Sequence, residues 1–301
     1  MDRPLPAADV PLQFFKAVYL TGRVPWRALG SDDRVSYALY IPPDHYLSTT
    51  AIITGKNKPL PLLVYIHGTR RDISSLYTDL EDFAESVPCA VLAPLFPAGL
   101  DDGYAADDDG LSSYKTLWSP SLRYDLALLS MLEEVASRWP DALDTDRVYL
   151  MGFSGGGQFA HRFLYLYPER LAAVSVDAPR RVTSLTNDDD WPRGVANTAA
   201  LFDGRVVDPR RVAPVPVQLA SHHIASSSGS AGGESGGGKE LPPMKQGRLD
   251  ATKQLQEQWA ATGIEARLDV VRGAAHDAEK VRVCALRIMR SLMDQGLKIS
   301  Q

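Results

Sequence analysis

Apolar positions along the chain fall into two alternating patterns. Short apolar runs recur at 60–66, 89–94, 147–152, 171–176 and 215–220, and the stretch 265–271 reads as a last strand. Runs of this kind belong to strands buried on both faces of a parallel sheet. Between them lie helix-compatible stretches at 74–86, 121–135, 155–167, 249–261 and 278–295, several stopped by Pro88, Pro140 or Pro168. The alternating segment 34–41, closed by Pro42 and Pro43, predicts antiparallel edge strands ahead of this series. Strands alternating with helices predict an α/β fold, a mostly parallel central sheet with helices on both faces. Its active site is expected beyond the carboxyl ends of the strands.

Three stretches depart from the rhythm. Residues 101–110 form an acidic run without the ligand spacing or closing glutamate of an EF-hand, and are read as a solvated loop. Residues 180–212 are read either as a cap segment crossing the strand ends or as an irregular surface excursion. Residues 226–239 are almost wholly Ser and Gly around Glu234, the composition of a flexible loop. With no internal repeat, residues 1–301 are read as one domain.

The chemistry centres on Gly152-Phe153-Ser154-Gly155-Gly156-Gly157, placed between a predicted strand and a predicted helix. A serine at such a sharp turn holds its hydroxyl exposed, and glycines two positions to either side remove side chains that would collide with neighbouring backbone. A phosphate-cradling reading lacks the lysine and hydroxyl of a P-loop, since Gln158 stands where a cation would help. Thr69, Ser154 and His276 all fall at predicted strand ends, so one rim would hold a nucleophile and a base. A neutral imidazole at His276 can take the serine proton near neutral pH. The backbone N–H groups of Thr69 and Gly155 are the expected oxyanion-hole donors. His67 is read chiefly as a brace for its loop.

The carboxylate that should orient His276 is not evident. After the run at 215–220 the chain reads Ser221-His222-His223-Ile224-Ala225, with no acid before Glu234. Glu234 is the first candidate and Asp177, ending the preceding strand, the second; Glu240 and Asp250 come later, and a dyad without an acid also stays open. His222 and His223 lack a third ligand at useful spacing and are read as loop residues, so no metal is expected.

Taken together, the segments ending His67-Gly68-Thr69, the turn around Ser154 and Gly273-Ala274-Ala275-His276 resemble the α/β-hydrolase superfamily over residues 35–295. Within it the resemblance is to esterase groups that include polyhydroxybutyrate depolymerases, feruloyl esterases and prolyl-oligopeptidase-like hydrolases. It implies hydrolysis of a small-molecule carboxylic ester or lactone through an acyl-enzyme on Ser154, with His276 as general base in a catalytic triad and with no cofactor. The missing acid is a departure from the family pattern. A serine peptidase, an acyltransferase and a non-catalytic binding member of the fold are the alternatives.

The formal net charge of −5 argues against a nucleic-acid partner, which needs clustered cations. The arginine pairs at 70–71, 180–181 and 210–211 are read as isolated and solvated. No segment is apolar over the length of a membrane span, so no membrane partner is expected. The opening residues show no secretory signal, so a cytoplasmic location is expected, and Cys89 and Cys284 are read as buried free thiols. Trp118 and Trp191 are read as packing residues rather than pocket contacts. The oligomeric state is left open.

Overall fold

The computed structural model describes residues 7–15, 20–46, 59–100, 113–222, 247–271 and 277–299. Among these, one sheet takes the strands β1 (Gly22–Leu29), β2 (Asp32–Ile41), β3 (Leu60–Ile66), β4 (Ala90–Leu95), β5 (Leu143–Phe153), β6 (Leu171–Asp177), β7 (Val217–His222) and β8 (Ala266–Val271). Their spatial order is β1-β2-β4-β3-β5-β6-β7-β8. The β1–β2 and β2–β4 pairs are antiparallel and the remaining pairs are parallel. The stretch expected at the edge is therefore one strand further in: β1 forms the edge, and β2, flanked on both sides, buries the whole of 37–41.

Helices cover both faces. On one face α1 (Asp79–Ser86) sets Leu80 and Phe83 against Leu63, Tyr65 and Val91, and the C-terminal helix Ala278–Ile299, here α5, adds Leu286, Met289 and Met293. On the other face lie α2 (Tyr124–Arg138), α3 (Gly155–Leu166) and α4 (Arg248–Ala261), whose Leu128, Phe163, Leu255 and Trp259 meet Leu62, Val64, Leu150, Val174 and Leu219. Side chains alternate between faces along each strand, so each central strand feeds both layers, which is why these strands read as unbroken apolar runs. The 74–86 stretch divides into a 3₁₀ turn, Ser74–Tyr77, and α1, because Thr78 takes non-helical angles between them.

Residues 180–212 carry two single-turn helices, Thr198–Leu201 and Pro209–Val212, and a cis Trp191–Pro192 bond. They lean on α3: Arg162 and Tyr165 donate to Thr183, while Trp191 Nε1 donates to Thr116 and its ring meets Phe202 edge-on. Cys89 and Cys284 are free thiols, the first buried and the second half-buried. Two expectations need correction. Arg71 is not a solvated charge: it is half-buried, donates to the carbonyls of Thr69, Phe96 and Pro97, and stands over the Tyr114 ring. His222 is not a loop residue either; β7 continues through it because it pairs with Val271 of β8, and its side chain is buried.

The crossover from β3 to β4 runs one way along the sheet, and β5 returns to the other side of β3. At such a switch point the loops after β3 and β5 diverge and leave a crevice at the carboxyl ends of the strands.

Candidate active site

Ser154 stands in that crevice, directly after β5 and before α3. Its backbone has φ 57° and ψ −105°, a left-handed conformation that a non-glycine residue holds only when its surroundings enforce it. The enforcing contacts are backbone. Ser154 N–H donates to the Asp177 carbonyl at 2.7 Å, tying the turn to β6, and Gln158 N–H donates back to the Ser154 carbonyl to open the helix. A Cβ on Gly152 would collide with the Gly156 carbonyl, and one on Gly156 with the Ile66 carbonyl at the end of β3. One on Gly157 would stand 2.7 Å from the Asp177 carbonyl oxygen. These glycines let three chain segments pack at distances that any side chain would prevent.

Gly155 has a different neighbour. A Cβ there would strike the Tyr114 hydroxyl, and would stand 3.1 Å from Lys115 Cε and 3.2 Å from the Thr69 nitrogen. The two backbones expected to stabilise an oxyanion are thus side by side. Tyr114 and Lys115, in the 3₁₀ turn Ser113–Thr116, are both buried and pack beneath the serine turn. Sequence reasoning missed them, because nothing local relates that turn to Gly155.

His67 is buried and neutral. Its Nδ1–H donates to the Gly68 carbonyl at 2.9 Å, and its Nε2 accepts the Phe96 N–H at 3.1 Å. This assigns the tautomer and links the ends of β3 and β4. Loss of hydration on burial pushes its pKa down to about 4. The ring also packs against Tyr114 and Phe96. Both ring nitrogens are engaged in the scaffold, the arrangement of a brace.

Asp177, the last residue of β6, is buried, and its Oδ1 accepts the Ser175 hydroxyl at 2.7 Å. Its Oδ2 has no hydrogen-bond partner among the described residues. Burial pushes the carboxyl up to about 7, against the Ser175 hydrogen bond and the Arg282 charge, which pull it down. A polar chain continues from it across the sheet: Ser175 Oγ also lies 3.0 Å from Gln218 Oε1, Gln218 Nε2 donates to Asp269 Oδ2, and Asp269 takes the Arg267 guanidinium. A hydroxyl has one proton to give. When Asp177 is ionised, Ser175 donates to it; when Asp177 is protonated, it donates to Ser175 and the Ser175 proton is free to satisfy Gln218.

Ser154, Gly68, Thr69 and Phe153 border a cavity of about 960 Å3 that reaches the starts of α1, α4 and α5. Its wall includes Asp277, the residue after His276. His276 and Glu234, the expected base and first acid candidate, lie outside the described residues, as do His223, Glu240 and the acidic run at 101–110. Asp250 is in the first turn of α4, where it caps the Gly247 N–H. Of the residues singled out, the structure brings together Ser154, Thr69, Gly155 and Asp177. Among the described residues, no group of three His, Cys, Asp or Glu side chains could hold a metal ion. No described helix is long and apolar enough to cross a membrane.

No family model matches the sequence, and no curated protein matches it. Solved structures do. A poly(3-hydroxybutyrate) depolymerase from Bordetella parapertussis is 22% identical over 96% of both chains, with a TM-score of 0.60. Poly(aspartic acid) hydrolase-1 from Sphingomonas sp. KT-1 is 17% identical over 84% of this chain and 92% of its own, with a TM-score of 0.59. An S-formylglutathione hydrolase from Agrobacterium tumefaciens is 17% identical over 92% and 98% of the two chains, with a TM-score of 0.53.

Proposed function

The chain has the α/β-hydrolase fold, and from that premise we propose that it is a serine hydrolase of carboxylic esters. The single observation that carries this reading is Ser154 held at φ 57° on a strand-to-helix turn, with the Thr69 and Gly155 backbones packed beside it. The names of its structural neighbours, a depolymerase of a polyester and a thioester hydrolase among them, support the same class of chemistry.

In the mechanism we infer, His276 takes the proton from Ser154 Oγ as that oxygen attacks the ester carbonyl. The Thr69 and Gly155 N–H groups receive the negative charge that develops on the carbonyl oxygen. His276 then returns its proton to the leaving alcohol, and water, activated by the same histidine, cleaves the acyl-enzyme. Asp177 rather than Glu234 is the acid. Its buried Oδ2 has no donor among the described residues, and an imidazolium N–H would satisfy it while its charge brings the carboxyl into ionised form.

Labelling by a fluorophosphonate probe tests this without a guess at the substrate. The wild-type chain is expected to label, and Ser154→Ala and His276→Ala are expected not to. A folded wild-type chain that does not label would sink the reading.

A further inference from the structure

Arginines in proteins normally stand beside carboxylates or in open water. Arg248, which lines the cavity at Ser154, has no carboxylate beside it among the described residues. It is half-buried, its Nε is buried without a hydrogen-bond partner, and no carboxylate pairs with it among the described residues. It is the first residue of α4, where the positive end of the helix disfavours a cation. Arg180, just beyond β6, is its electrostatic neighbour; burial and that second charge together push the Arg248 pKa down. Arg180 likewise has no carboxylate partner among the described residues. Keeping the Arg248 guanidinium half-buried with its Nε unpaired among the described residues costs free energy, and a bound anion would offset it.

The cavity also contains carboxylates, and their arrangement matters. Asp79 is bonded to Arg282, Asp277 accepts the N–H groups of Glu279 and Lys280, and Asp72 accepts that of Ser74. Asp82 and Glu279 face solvent. All five stand on the segment after β3, on α1 or at the start of α5. These segments therefore bring five carboxylates to the cavity, three of them held by donors of the protein, together with Arg70 and Arg282.

We propose that Arg248 is an anion subsite of the Ser154 cavity, and that the substrate carries a carboxylate remote from its scissile bond. This rests on the serine hydrolase reading. Bidentate pairing with the Arg248 guanidinium holds that carboxylate and so sets which way the ester lies across Ser154.

The test compares 4-nitrophenyl hydrogen succinate with 4-nitrophenyl butyrate, esters of similar size that differ by one charge, on the full chain. The wild-type kcat/KM is expected to favour the succinate, and the preference to shrink as salt is raised. Arg248→Gln should lower the succinate-to-butyrate ratio at least about tenfold, mainly through KM, with Arg248→Lys keeping a larger part of it. Binding of monomethyl succinate to Ser154→Ala, followed by calorimetry with and without Arg248→Gln, reads the subsite independently of turnover. Turnover of both esters with no Arg248-dependent preference would overturn the subsite and leave the hydrolase standing. Arg248-dependent binding without turnover of any ester would do the reverse.

Discussion

Two deeply buried polar residues of the strand-end rim, His67 and Asp177, are held in different ways. On the β3–β4–β5 side every hydrogen-bonding atom of His67 is used: one nitrogen donates to Gly68, the other accepts from Phe96. His161 on α3 repeats the pattern, with Nδ1 on the Gly157 carbonyl and Nε2 accepting the Thr183 N–H. On the β6–β7–β8 side, Asp177 is as deeply buried but keeps one carboxylate oxygen without a partner among the described residues. Saturated burial builds a scaffold, because changing either partner leaves a polar group stranded. Unsaturated burial stores a demand that an incoming group can meet, and that is the signature of a site.

The largest effect should come from cancelling that demand. Asp177→Asn keeps the shape of the side chain but cannot stabilise an imidazolium, and kcat/KM is expected to fall by roughly 10³–10⁴-fold, measured on any ester the wild-type chain turns over. A matched Glu234→Gln that produces such a loss, with Asp177→Asn retaining activity, would reverse the assignment of the acid.

Stability against pH separates His67 from Asp177 next. His67 has its folded pKa lowered from 6.5 to about 4, so the unfolded chain binds the extra proton; its contribution is present above 6.5 and lost as pH falls toward 4. Asp177 has its folded pKa raised from 3.8 to about 7, so the folded chain binds the extra proton. Its contribution is present below 3.8 and lost as pH rises through about 7. The two slopes oppose each other. Urea midpoints across this range should show His67→Gln blunting the acid-side loss and Asp177→Asn removing the decline toward neutral pH. Parallel behaviour of the two variants would erase the distinction.

His67→Gln is also expected to cost about 1–3 kcal/mol at neutral pH, from the stranded Phe96 N–H and the lost ring packing, as read from chemical denaturation. The smallest effect is Ser175→Ala. Removing the hydroxyl takes from Asp177 a hydrogen bond that favours its ionised form, so the acid limb of the kcat/KM profile should move to higher pH with only a few-fold loss at its plateau. An unmoved limb would separate Ser175 from the acid.

How much of this could be read from the chain alone depends on whether the physics is local. The turn at Ser154 was legible because its glycines and its strand and helix neighbours are contiguous in sequence, and the strand series was legible because parallel strands buried on both faces leave unbroken apolar runs. The acid was not. Asp177 ends one predicted strand and Glu234 follows another in sequence, and what favours Asp177 is an oxygen unpaired among the described residues, a property of the tertiary environment. Arg71 read as half of a solvated pair because nothing in its neighbours shows that the ends of β3 and β4 converge on it. His222 read as loop because its strand character comes from pairing with β8.

The contact between Gly155 and Tyr114 bears on the order of assembly. The strand and helix on either side of Ser154 are neighbours in sequence, but the space that keeps their turn closed is completed by a hydroxyl from the segment preceding α2, which also donates to the His67 carbonyl. On the hydrolase reading proposed above, a chain in which β5 and α3 have formed but that segment has not docked would possess the serine without its reactivity. Labelling of Ser154 during refolding would then serve as a clock for the last tertiary contacts, lagging behind the appearance of helical signal.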